Sequence, residues 1–137
     1  MATYQINLTD PEHAVTQLAD FLSEILEAEN SPPDVENAMQ LAAEEAVVNI
    51  MNHGYKGGPG LIEIRCIISA HQVVLCIRDE APFFNPLTLP TPDTEAGIDE
   101  RRIGGLGVHL IRSLMDEVTY KQTESGNCLI MKKNRAH

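Results

Sequence analysis

A long amphipathic helix with two polar residues on its flank constrains this chain more than any other stretch. Residues 41–55, LAAEEAVVNIMNHGY, read as its second half. At about 100° per residue, Val35, Met39, Ala42, Ala46 and Ile50 fall on one apolar stripe. Glu45 and Asn49, four apart, sit one above the other at the margin of that stripe. A carboxylate and a carboxamide beside a core are costly unless something uses them. The plain alternative is a solvated helix face. Two downstream pieces weigh against it: an acidic strand end at Asp79, and a glycine-rich helix start from Gly104 to Gly107. In this order the three pieces compose a nucleotide site.

The remaining elements follow from periodicity and punctuation. Tyr4, Ile6 and Leu8 alternate along a short strand over 3–8. Asp10-Pro11-Glu12 supplies an N-cap and first turn for a helix from Pro11 to about Ala28. Ser31 is expected to cap the second helix, with Pro32 and Pro33 in its first turn and an end near Asn52. Gly57-Gly58-Pro59-Gly60 makes a turn. Residues 61–69 and 72–79 read as an antiparallel hairpin joined at Ala70-His71. Residues 80–103 lose all periodicity and hold four of the eight prolines, as a lid or binding loop would. A third helix starts at Gly104, and strands near 117–122 and 127–133 close the chain around Glu124-Ser125-Gly126. Grouped strands and helices without strict alternation predict one α+β domain over 1–137. We expect a two-layer sandwich of a mostly antiparallel, mixed sheet with three helices on one face.

Charge and cysteine usage narrow the function classes. The net charge is −10, from 20 acidic and 10 basic residues, which disfavours a nucleic-acid partner. An acidic surface also repels a polyphosphate, so a nucleotide would need Mg²⁺ and oriented backbone N–H groups. Cys66, Cys76 and Cys128 lie in apolar strand-like runs without metal-ligand spacing and read as buried, reduced thiols. No apolar run would span a bilayer and no signal segment opens the chain, so a cytoplasmic protein without a membrane partner is expected.

Each motif has a chemistry and a plainer alternative. A glycine-rich helix start offers backbone N–H groups and a positive dipole end to an anion, or else is an ordinary cap at a hinge. Neither a P-loop nor a Rossmann fingerprint is present. The Asp79 carboxylate can accept a hydrogen bond from an exocyclic amine such as that of adenine, or cap the turn at Glu80-Ala81-Pro82. Asn49 can give Mg²⁺ an oxygen ligand. Glu45, one turn earlier, is then placed to take a proton from an attacking hydroxyl.

With these residues in view, Glu45-Ala-Val-Val-Asn49 and the following His53-Gly54-Tyr55 resemble the N-box of the anti-sigma-factor serine kinases. That group belongs to the Bergerat-fold ATPases, the superfamily of gyrase and the histidine kinases. Asp79-Glu-Ala-Pro-Phe-Phe-Asn-Pro86 resembles their first glycine box. Residues 104–120, from Gly104-Gly-Leu-Gly-Val to the Leu-Met-Asp-Glu-Val tail, resemble the second. The resemblance covers most of the chain and implies a histidine-kinase-like ATPase domain. Its cofactors are then ATP and Mg²⁺, with Glu45 as catalytic base and Asn49 as Mg²⁺ ligand. Asp79 and Ala81 fall on the adenine side, and Gly104, Gly105, Leu106, Gly107 and Val108 on the phosphate side. Residues 87–103 match the ATP lid. Members of the family phosphorylate a serine on an anti-sigma-factor antagonist of the STAS type, sequester a sigma factor, and usually form homodimers.

This chain departs from the family pattern at three positions. Ala81 stands where Gly is usual, Asn85 where Asp is frequent, and Gly126-Asn127 where Gly-Thr is often found. An Asn can still offer an oxygen and an N–H₂ near adenine. His53 and Tyr55 read as helix-end capping and packing, Phe83 and Phe84 as a loop anchor, and Arg101-Arg102 as a solvated pair. His109 receives no role. The competing readings are an ATP-dependent partner switch without efficient phosphotransfer, and the detached ATP domain of a histidine kinase. No dimerisation helix pair with an acceptor His supports the last.

Overall fold

The computed structural model describes residues 1–82 and 105–135, with backbone alone for 105–108. The elements are β1 (Ala2–Leu8), α1 (Ala14–Ala28), α2 (Pro33–Asn49), a π-turn (Ile50–Gly54), β2 (Ile62–Ile68), β3 (Gln72–Asp79), α3 (Gly105–Leu114), β4 (Glu117–Gln122) and β5 (Asn127–Asn134). One five-stranded sheet runs in the order β1-β2-β3-β5-β4. All four pairings are antiparallel, so the sheet is not mixed as expected. The reason is the insertion of β5 between β3 and β4. The chain passes through α3, places β4 at the edge, and turns back antiparallel to both neighbours.

Alternation decides which face is covered. Ile62, Ile64, Cys66 and Ile68 of β2 point inward, as do Val73, Leu75 and Ile77 of β3 and Leu129 and Met131 of β5. The three helices pack on that face: α1 beside β1, α2 over β3 and β5, and α3 against α2 and β4. Val35, Met39, Ala42 and Ala46 are buried, confirming the apolar stripe, with Ala38, Ala43 and Val47 widening it. The result is the α+β two-layer sandwich of Bergerat type that the sequence resemblance implied. Cys66 is buried, and burial pushes its thiol up to about 12. Cys76 and Cys128 are only half-buried, on the open face of the sheet.

Both helix starts differ from expectation. Residues 11–13 form a turn ahead of α1, closed by Asp10, whose Oδ1 accepts from the Glu12 N–H at 3.0 Å. Ser31 does not cap α2, because its backbone is committed to ending α1. Asn30 takes the left-handed conformation at φ 56°, and the Ser31 N–H reaches back to the Leu26 carbonyl at 2.9 Å. Pro32 occupies the N-cap position of α2 instead. The Arg135 guanidinium donates to the carbonyls of Glu29 and Ser69, tying the end of α1 to the β2–β3 turn.

Where β3 and β5 end together, the backbones come unusually close. A Cβ added at Gly126 would lie 2.1 Å from the Asp79 carbonyl oxygen and 2.7 Å from Glu80 Cα. Only backbone lies in the way, so the strands would have to separate. Gly126→Ala should therefore destabilise the fold by about 1–3 kcal/mol, read as a lower urea midpoint. An unchanged midpoint would contradict this packing.

A candidate nucleotide site at the ends of the central strands

The end of α2 is not a simple helix end. The α-helix gives way at Asn49 to a π-turn, which closes with the Tyr55 N–H on the Ile50 carbonyl at 2.9 Å. Such widened turns recur at functional sites because they re-aim side chains. Here the turn brings Gly54 to the same recess as Ala46, Asn49 and Ile50. Ile111 of α3 and Leu129 of β5 complete the apolar walls. The recess and its open mouth together hold about 430 Å³ of space.

Three polar groups meet the recess from the sheet: Asp79, Tyr120 and Asn127. Asp79 is the last residue of β3, paired in register with Asn127 at the start of β5. Its side chain is buried, and its Oδ1 accepts from the Ala81 N–H and the Asn127 amide, both at 2.9 Å. Burial pushes the carboxyl above its ordinary value, and these two hydrogen bonds oppose the shift. Asn49 enters from α2, 9% exposed, and its buried Nδ2 has no hydrogen-bond partner among the described residues. Native structures seldom leave such a group unpaired, so it calls for a bound water, ion or ligand. Rotation about χ2 exchanges the two ends of the amide, so either its N–H₂ or its oxygen can face a ligand. A flat heterocycle with an exocyclic amine suits the apolar walls and the carboxylate. An amide oxygen suits a hard cation such as Mg²⁺.

The other expected site residues are distributed as follows. Glu45 lies one turn before Asn49, half-buried and outside the recess lining. Ala81 is buried but does not line the recess. Its methyl lies against Gly54, where an added Cβ would come within 2.9 Å of it. Gly105 and Gly107 open α3, as the sequence predicted. Gly104, the lid over 87–103, Phe83, Phe84, Asn85 and Arg101-Arg102 lie outside the described residues, as do the side chains of Leu106 and Val108.

Two tyrosines do more than sequence reasoning assigned them. The Tyr55 hydroxyl donates to the Leu61 carbonyl at 2.5 Å and accepts from the Glu80 N–H at 2.8 Å, clamping the end of α2 to the ends of β2 and β3. The Tyr120 hydroxyl donates to Asn127 Oδ1. Strand alternation carried a signal for Tyr120. It shares the inward face of β4 with Val118, and a partly buried phenol there requires a partner. The Asn127 amide, whose oxygen and N–H₂ the sequence offers near adenine, is engaged with Asp79, Tyr120 and the carbonyls of Ala81 and Pro82.

A family model for the histidine kinase-like ATPase domain matches residues 8–133, and the chain belongs to that family. It is similar to the serine-protein kinases RsbW of Staphylococcus aureus strains JH9 and Newman, each 40% identical over 107 residues, or 73% of this chain. The match spans 65% of the length of those relatives, just under two thirds. The resemblance carried by the three sequence motifs is thus shown. Among the described residues, no helix is long and apolar enough to cross a membrane.

The raised carboxyl of Asp79 has a pH signature. A group whose folded pKa exceeds its unfolded value favours folding most below the unfolded value, near 3.8. That contribution is lost as pH rises through the folded pKa. Asp79→Asn keeps an oxygen for both N–H donors and removes the buried charge. Its melting temperature should equal or exceed that of the parent at pH 7, with the difference shrinking as pH falls toward 4. Thermal melts across that range test this, and a variant that melts well below the parent at pH 7 would refute it.

Proposed function

We propose that the protein is an ATP-dependent serine kinase of the anti-sigma-factor type. The substrate would be a serine on a STAS-type antagonist, and a sigma factor would be the second partner, held by a homodimer. The observation that carries this reading is the conjunction, in one recess, of the buried Asp79 carboxylate with an Asn49 amide whose Nδ2 lacks a partner among the described residues. Family membership and the name of the Staphylococcus relatives support it.

In this reading Asp79 receives the adenine amine between the apolar walls. Asn49 would hold Mg²⁺, which supplies neutralisation of the phosphate charge. The serine oxygen attacks the γ-phosphorus as the bond to the bridging oxygen of ADP breaks, and Glu45 accepts the serine proton. Phosphoryl transfer asks the protein mainly for positioning and charge stabilisation, so few protein groups need to react.

A second reading, an ATP-controlled binding module without efficient transfer, draws on one observation. Glu45 is outside the recess lining. The two separate on Glu45→Gln, assayed with labelled Mg-ATP and the antagonist. Removal of a general base costs about 10²–10⁴-fold in rate. We expect phosphoserine formation to fall on that scale with nucleotide affinity retained, and an unaltered rate would remove the base assignment. For Asn49→Ala, calorimetry should show nucleotide affinity that no longer responds to Mg²⁺. A Mg²⁺ response equal to that of the parent would dismiss Asn49 as the ligand.

A further inference from the structure

Asn127 is held by hydrogen bonds at both ends of its amide. Its Nδ2 donates to Asp79 Oδ1 at 2.9 Å and lies 3.2 Å from the Pro82 carbonyl and 3.3 Å from the Ala81 carbonyl. Its Oδ1 accepts from the Tyr120 hydroxyl. An amide has an acceptor end and a donor end, and here each faces its complement. Turned over, the amide would set its oxygen against a carboxylate and two carbonyls, and its N–H₂ against the phenol. The surroundings therefore permit one orientation, and the Tyr120 hydroxyl secures it from the far side.

That orientation decides what Asp79 can offer. Both of its hydrogen bonds fall on Oδ1, from Ala81 and from Asn127, which leaves Oδ2 as the oxygen to meet a ligand. We propose that Asn127 and Tyr120 are the positioning residues for nucleobase choice. They hold Asp79 as a fixed acceptor, so that the recess takes a 6-aminopurine and rejects a 6-oxopurine. A 6-amino group donates to the carboxylate. A 6-oxo group presents a second acceptor, leaving two buried lone pairs opposed, and sites of this kind discriminate strongly. The Asn127 N–H also opposes the upward push of burial on the Asp79 carboxyl, favouring the ionised, acceptor-only form. The inference rests on the nucleotide reading above and goes beyond it by naming two recess residues that act on base choice through Asp79.

The test compares Mg-ATP with Mg-ITP, which differ at the purine 6-position and in the hydrogen that ITP carries on N1, by calorimetry on the full chain. The parent should prefer ATP. Tyr120→Phe keeps the ring and removes the hydroxyl that secures the amide, and Asn127→Ala removes the amide. Each should lower the ATP-over-ITP preference by about tenfold or more, the scale of one lost hydrogen bond, mainly by admitting ITP. Tyr55→Phe is the control. Its hydroxyl braces the same strand end without touching Asp79, so its loss should lower the melting temperature and leave the preference intact. If Tyr120→Phe binds ATP with the parental preference, the positioning role is overturned while the nucleotide reading survives. A fall in preference shared by Tyr55→Phe would reduce the role to general bracing and overturn it too. If the parent binds neither nucleotide, both readings fail together.

Discussion

A carboxylate buried at the end of a central strand must be given hydrogen-bond donors, and much of this structure supplies them. Asp79 sits where β3 ends, with β5 on one side and the turn after β3 on the other. The turn contributes the Ala81 N–H and β5 contributes the Asn127 amide. The second depends on the close approach of Gly126 to the Asp79 backbone, which a larger residue would push apart. The antiparallel return of β5 beside β3 is thus more than a matter of topology. It brings the partner of the carboxylate to the strand end that bears it. Without that partner an ionised Asp79 would face the desolvation penalty of a buried charge largely alone.

The π-turn answers the same site from the helical layer. A regular continuation of α2 would have carried its ladder past Asn49 unchanged. The widened turn ends the helix over the recess and delivers Gly54 and Tyr55 to the ends of the strands. Tyr55 then bridges the Leu61 carbonyl and the Glu80 N–H, so helix end and sheet end are one unit. The electrostatic setting makes such fixed dipoles necessary. Residues 1–55 contain ten carboxylates and no Lys or Arg, so the segment bearing Glu45 and Asn49 supplies a polyphosphate no Lys or Arg side chain. Any anion there would rely on a metal ion and on backbone N–H groups.

What was legible in the sequence follows from how local each cause is. The stripe through Val35, Met39, Ala42 and Ala46 is a property of one helix, and periodicity alone identifies it. The hairpin of β2 and β3 and the turn before β5 are equally local. Asp79 and Asn49 were visible because an acid at the end of an apolar strand and an amide beside an apolar stripe conflict with their surroundings. Ser31 was misread because capping chemistry is local, yet the preceding Schellman motif at Asn30 had already claimed its backbone. The π-turn and the all-antiparallel sheet left no periodic trace, since both arise from tertiary closure. Tyr120 and Asn127 lie on paired strands, and nothing nearby in the chain shows that the phenol meets the amide.

Two of the three departures from the family pattern, Ala81 and Asn127, meet at one corner of the structure. Ala81 and Asn127 both donate to the same oxygen of Asp79, and Asn127 also reaches the Ala81 carbonyl. The added methyl of Ala81 is accommodated because the π-turn presents Gly54, and no side chain, to it. Ala81 is thereby pinned between the end of α2 and Asp79. A Thr at 127, frequent in the family, would bring one hydroxyl donor to this corner, where an Asn brings two N–H groups and a separate acceptor. Three acceptors surround the position, those of Asp79, Ala81 and Pro82, and a phenol donor approaches from Tyr120. The amide matches that set on both sides, and a single hydroxyl does not. The Ala81 backbone and the Asn127 side chain together thus supply the carboxylate with its donors.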